Sequence, residues 1–185
     1  MPFIGTAFFF SKSPRYIPEE LIKAKLFSIG ILTVLLPIML YFLLKTLRRV
    51  DNVHLPTTKE RILPLGLNCI IIYVVVQQIL PSNELIELYC FFIGILLSTL
   101  ACLILAILRF KASIHMIATS GVLMFFIAIS IHYNINIIGS IVLMFMIVGA
   151  VATSRLHLRA HNNTELIVGI FLGVLPQLIM LNYCL

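Results

Sequence analysis

The chain carries no Asp, Glu, Lys or Arg between Lys25 and Lys45, Arg61 and Glu84, Glu87 and Arg109, or Lys111 and Arg155, nor after Glu165. A helix that crosses a bilayer needs about 20 apolar residues, because the hydrocarbon core offers its backbone no other hydrogen-bonding partner. Each interval accommodates one such helix except the fourth, which is long enough for two. It is broken at "HYNIN" (132–136), where polar side chains and turn formers interrupt the apolar run. Six spans are therefore expected, at about 26–44, 62–80, 88–108, 115–131, 135–153 and 166–184. Composition agrees: 61% of the 185 residues are hydrophobic and 11% charged, a balance that would leave a water-soluble domain with large exposed apolar patches. The expected fold is all-α, a six-helix membrane bundle forming one domain over 1–185, with no nucleic-acid partner.

Before the first span, "MPFIGTAFFF" is too short to cross a membrane and reads as a re-entrant or interfacial piece. It lacks a preceding basic region and a following small-residue cleavage site, so it does not read as a signal peptide. "SPRYIPEELIKAK" is an amphipathic lead-in, with Pro18 at a helix start and Glu19 and Glu20 in the first turn. The four cysteines, Cys69, Cys90, Cys102 and Cys184, lie in or at the ends of apolar spans and form no C-x-x-C pair; packing is the expected use of all four. Gly169 and Gly173 form a G-x-x-x-G suited to close helix packing, and Pro37 and Pro64 read as kinks or helix starts.

Alternation of six spans sorts the loops. One face receives four bases (Lys12, Arg15, Lys23, Lys25) and four acids (Glu19, Glu20, Glu84, Glu87). The other receives nine bases (Lys45, Arg48, Arg49, Lys59, Arg61, Arg109, Lys111, Arg155, Arg159) against three acids (Asp51, Glu60, Glu165), so it holds the whole net charge of +6. Four of the five histidines, His54, His115, His157 and His161, share that basic face. The positive-inside rule accounts for Lys45, Arg48 and Arg49 at a span end, and headgroup contact accounts for Arg159. Histidines and Glu165 add little to topology. Their convergence with bases from separate loops suggests a site for an anionic group at headgroup level.

The residues "S154-R155-L-H-L-R-A-H161-N-N-T-E165" resemble the third signature of the type 2 phosphatidic acid phosphatase (lipid phosphate phosphatase) superfamily: Ser-Arg, five residues, His, three residues, Asp. Ser154, Arg155 and His161 match, and Glu165 stands where the family has Asp. "K111-A-S113-I-H115" keeps Ser and His of the second signature, Pro-Ser-Gly-His, with Ala112 and Ile114 in place of Pro and Gly. "K59-E-R61-I-L-P64" has the residue types of the first signature without its spacing. The R-x-x-P, S-I-H-M and S-R-L-x-L-x-A-H runs also resemble a divergent membrane branch found in Bacteroidetes-type bacteria. Order, loop placement and six-span topology extend the resemblance over about 45–185.

This resemblance implies a bacterial inner-membrane hydrolase of a lipid phosphomonoester or pyrophosphate, acting through phosphohistidine with no metal or other cofactor. His161 would be the nucleophile, held by Glu165 four residues on, on the same helical face. His115 would protonate the leaving oxygen, and Lys59, Arg61 and Arg155 would clamp the phosphate, with Ser113 and Ser154 as neutral donors. The phosphorylated lipid would be a polyprenyl phosphate, phosphatidylglycerophosphate or lipid A. Most bacterial relatives are thought to face the periplasm, which sets the expected side of the site against the charge bias. Plainer roles stand beside these. Glu165 suits a capping box opened by Asn162, and Ser113 and Ser154 suit helix caps. His157 and His161 at i, i+4 suit two ligands of a metal site lacking a third. A catalytically silent member of the fold, binding anionic lipid or scaffolding a complex, is the alternative function, because the second signature has lost the glycine that lets backbone N–H groups approach phosphate. A transporter is disfavoured by the lack of mid-span charge.

Overall fold

The computed structural model describes residues 1–46, 58–80 and 84–184, and only the backbone at 58, 59 and 182. Arg48, Arg49, Asp51, His54 and the side chain of Lys59, each given a role above, lie outside the described residues. The described chain is helical throughout: α1 (Pro2–Lys12), α2 (Glu19–Gly30), α3 (Leu36–Thr46), α4 (Thr58–Val74), α5 (Ile86–Ile107), α6 (Ile114–Tyr133), α7 (Ile138–His157) and α8 (Asn163–Cys184). A π-helical turn, Ile31–Leu35, joins α2 to α3, and another, Val75–Ile79, closes α4. Six stretches are long and apolar enough to cross a membrane: Glu19–Thr46, Glu60–Ile79, Ile86–Ile107, Ile114–Tyr133, Ile138–His157 and Asn163–Leu181. This is the expected all-α, multi-pass membrane bundle.

Three boundaries differ from the expectation. The amphipathic lead-in runs without a break into the first span, since no glycine or proline interrupts 19–29; Pro18 and the two glutamates do open that helix. The turn at Ile31–Leu35 lies just ahead of Pro37, which has no N–H to donate and whose ring crowds the preceding turn. Thr33 Oγ1 gives a hydrogen bond to the Ile29 carbonyl there (2.7 Å). Further on, α4 starts at Thr58, leaving Pro64 inside the helix. Last, α7 runs to His157, so Ser154, Arg155 and His157 stand on a helix end and not on a loop. The break at "HYNIN" is as expected: Asn134 is left-handed (φ 55°) and closes α6, a conformation asparagine tolerates well.

The bundle is built around α6, whose Ser120, Gly121, Val122, Phe125 and Ile129 are buried along its length. Helix α8 packs most closely on α6, with α7 and α5 also against it, and α4 packs on α5; α7 nevertheless buries Met144 alone. Two small residues set the α6–α8 distance. A Cβ on Gly173 would strike Ser120 Oγ and the Ile117 carbonyl, and one on Gly169 would come within 3.0 Å of the Ser113 carbonyl.

Of the two roles open to the N-terminal apolar run, the structure has the re-entrant one. Eleven residues of α1 span about 16 Å, roughly half of a hydrocarbon core about 30 Å thick. Phe9 is buried, Phe8 stacks on Phe126 with ring centroids 3.6 Å apart, and Gly5 lies against the Phe91 ring. Arg15 then anchors the chain at the membrane face through Nη1 to both oxygens of Glu87 (3.0 Å each), a carboxylate that also accepts from Tyr133 (2.6 Å). Nearby, Lys25 donates to Glu84 (2.7 Å) and to the Ile79 carbonyl (2.9 Å) at the end of the π turn. The neutral face is thus neutral largely pair by pair.

Packing is the role of Cys69 and Cys102, both buried thiols, but not of the other two: Cys90 and Cys184 form a disulfide between the start of α5 and the end of α8. A sequence separation of 94 hides their proximity, which depends on antiparallel packing of these two helices.

Replacing Gly173 by Ala should lower the detergent melting temperature sharply, because backbone must move to admit one methyl group. Gly66→Ala, at a position with no neighbour within 4 Å, should leave it unchanged or raise it, as alanine is the better helix former by about 1 kcal/mol. Equal melting temperatures for both variants would contradict the close α6–α8 approach.

Candidate functional site

The basic face is assembled by ties between loops distant in sequence. Ser113 N donates to the Glu165 carbonyl (3.2 Å), joining the start of α6 to the first turn of α8. Lys111 Nζ donates to the Ala160 carbonyl (3.1 Å), joining the α5–α6 loop to the α7–α8 loop. Arg61 Nη1, from the first turns of α4, donates to the Ala112 carbonyl (3.1 Å). Each loop turns through one left-handed residue, Arg109 (φ 64°) and Arg159 (φ 49°). Both arginines are exposed, so each serves as a turn whose charge faces outward.

His161 is at the centre. Its side chain is 5% exposed, and its Nδ1 lies 2.6 Å from Glu165 Oε2. A carboxylate only accepts, so Nδ1 carries the proton and Nε2 keeps its lone pair. The same Oε2 accepts from Asn162 N (3.4 Å), which is the return limb of a capping box. The capping and orienting roles of Glu165 are therefore both realised, and the longer carboxylate does fold back onto His161. Burial lowers the His161 pKa below its ordinary 6.5; Glu165 opposes that shift, and the cations of Arg61 and Lys111 reinforce it.

Ser113 Oγ, on the residue tied to Glu165, and Arg155 Nε, on the last turns of α7, are buried with no hydrogen-bond partner among the described residues. Such groups cost free energy unless something satisfies them. Ser113 is fully buried, and although it occupies the N-cap of α6 its hydroxyl does not cap the helix, contrary to the plainer expectation. Arg61, 7% exposed, is equally withdrawn from water. These donors are what an anion with several oxygens would engage.

Arg61, Ser113, His161 and Glu165 are thus brought together as expected. Ser154 is exposed on the last turns of α7, His115 is exposed on the first turn of α6, and neither bonds to the His161–Glu165 pair. His157 is exposed and makes no pair with His161, and among the described residues no three His, Cys, Asp or Glu side chains converge to hold a metal. Lys111 is the residue the sequence reading missed. In the sequence it is only one of the nine bases of its face, although its place two residues before Ser113 puts it in the same loop. No protein-family model, curated protein or solved structure matches the chain.

The sign of the His161 shift sets a pH dependence. Its neutral form is populated at pH 7 and is lost as pH falls through a value below 6.5. Glu165→Gln removes the one influence that raises this pKa, so the ring should titrate at still lower pH. Histidine NMR in detergent micelles measures both, and a ring titrating above 6.5 in the parent protein would reverse the assignment.

Proposed function

We propose that the protein is a membrane-embedded phosphatase of lipid phosphates that works through a phosphohistidine. The observation that carries this reading is the His161–Glu165 contact, tied to the start of α6 where the Ser113 hydroxyl is left unsatisfied; Arg155 Nε, on the last turns of α7, is a second buried donor without a partner among the described residues. His161 Nε2 attacks phosphorus while the P–O bond to the lipid alkoxide breaks, and His115 delivers a proton to that oxygen. Water then attacks the phosphohistidine, releasing inorganic phosphate and restoring the imidazole. Positive charge from Arg61, Arg155, Lys59 and Lys111 stabilises the charge on the equatorial oxygens, as phosphoryl transfer requires. Glu165 keeps the nucleophile in its reactive tautomer and stabilises the imidazolium character that develops on attack. Ser154, exposed on α7, serves as a donor at the rim.

Two observations favour the cytoplasmic leaflet for this site, in place of the periplasmic one that the resemblance implied. The Cys90–Cys184 bridge lies toward the opposite face, and disulfides persist in oxidising compartments. The excess of bases lies on the site's own face, in accord with the positive-inside rule. Arg159→Cys, labelled with an impermeant maleimide, tests this: labelling is expected only after cells are opened, and labelling of intact cells would restore the periplasmic assignment.

Purified protein is expected to release phosphate from lipid phosphates in detergent, with activity surviving chelator. His161→Ala should abolish turnover and any acid-labile phosphoenzyme. His115→Ala should cost about 10²–10⁴-fold on an alkyl phosphate, the usual worth of general acid catalysis, and much less on an aryl phosphate. Arg155→Lys should reduce turnover strongly, since a point charge cannot form a two-pronged contact, whereas Arg159→Lys should not. Binding of lipid phosphate without turnover or phosphoenzyme would establish the silent-binder alternative.

A further inference from the structure

Below the basic face, between α3 and α4, lies a groove of about 90 Å³ walled by Pro37, Leu40, Leu44, Pro64, Leu67 and Ile71. Its walls are apolar except for Tyr41 and Asn68. Tyr41 Oη is buried with no hydrogen-bond partner among the described residues, and the half-buried Asn68 amide, on the opposite wall, has no hydrogen bond to another described side chain or backbone group. Inside a bilayer no water offsets such vacancies, so an unpaired phenol and an unpaired amide on facing helices call for a ligand with acceptors. Asn68 follows Arg61 by seven residues on α4, which places it about 10 Å deeper in the membrane. It also lines a second cavity, of about 140 Å³, that continues into the bundle.

We infer that Tyr41 and Asn68 form a specificity-determining pair that reads the acyl ester carbonyls of a glycerolipid phosphate. This rests on the proposed phosphatase reading for the placement of the phosphate. With phosphate held near Arg61 and His161, the ester carbonyls of a diacyl glycerol phosphate lie a few bonds below it, at the depth where the Tyr41 hydroxyl and the Asn68 amide can donate. Outside the groove α3 presents Met39, Phe42 and Leu43, so a lipid can enter sideways from the leaflet. A polyprenyl phosphate carries no acceptor below its phosphate and would leave both donors unsatisfied.

The test uses His161→Ala as the background, so that nothing turns over. Equimolar dioleoyl phosphatidic acid and its ether-linked analogue, which lacks the carbonyls, compete for the protein in detergent and are counted by native mass spectrometry. The ester should be bound roughly five-fold or more in excess, the selectivity of one or two net hydrogen bonds. Tyr41→Phe and Asn68→Leu should each bring the ratio toward one, with melting temperatures confirming that both remain folded. A ratio near one in the background protein, or a preference that survives both substitutions, overturns the pair. Polyprenyl phosphate competing as well as the ester also overturns it. Failure of the phosphatase reading looks different: the ester preference persists, yet protein with His161 intact releases no phosphate from either lipid.

Discussion

The close approach of α6 and α8 is the constraint on which the site depends. Helices in lipid gain little from burying apolar side chains against one another, so contact has to come from backbones that can come near. Gly169 and Gly173 permit that, with Gly169 facing the Ser113 carbonyl and Gly173 facing Ser120 and Ile117. The same approach carries the N-terminal ends of the two helices to one place. Ser113 N then reaches the Glu165 carbonyl, and the residues on either side inherit their positions: Ala112 and Lys111 before it, His161 and Glu165 across from it. The chemistry of the basic face follows from the absence of two methyl groups inside the membrane.

The two faces handle charge in opposite ways. On the neutral face, Arg15–Glu87 and Lys25–Glu84 cancel locally and fasten α1 and α2 to the bundle. On the basic face, Arg61 and Lys111 each donate to a backbone carbonyl, which orients the cation. His161 therefore sits in a positive field, and burial and that field together hold a second proton off. A field that disfavours a second proton on His161 is the same field that draws an anion to it.

Much of the fold was legible because the bilayer imposes a length and forbids charge within it. The six spans, the turn at Asn134 and the use of the glycine pair could all be read from residue order. The start of α2 was legible too, in Pro18 and the two glutamates, but its continuity with the first span and the boundaries of α4 and α7 were not, since a helix continues past the hydrocarbon edge wherever no breaker stops it. The His161–Glu165 contact was legible as an i, i+4 spacing. Lys111 was not, because its partner is the carbonyl of Ala160, and a backbone acceptor leaves no trace in sequence. Nor was the Cys90–Cys184 bridge, which joins two helices separated by two others along the chain.

The half-length insertion of α1 has a consequence for the cavity wall. Met1 and Pro2 line the deep end of the cavity that begins beneath Ile114 and Leu65, while the other end of α1 is pinned to the membrane face by Arg15 and Glu87. A helix that enters the bundle from one face and is held there by an ion pair thus puts its own backbone and the Met1 and Pro2 side chains into the wall of a hollow formed otherwise by spanning helices.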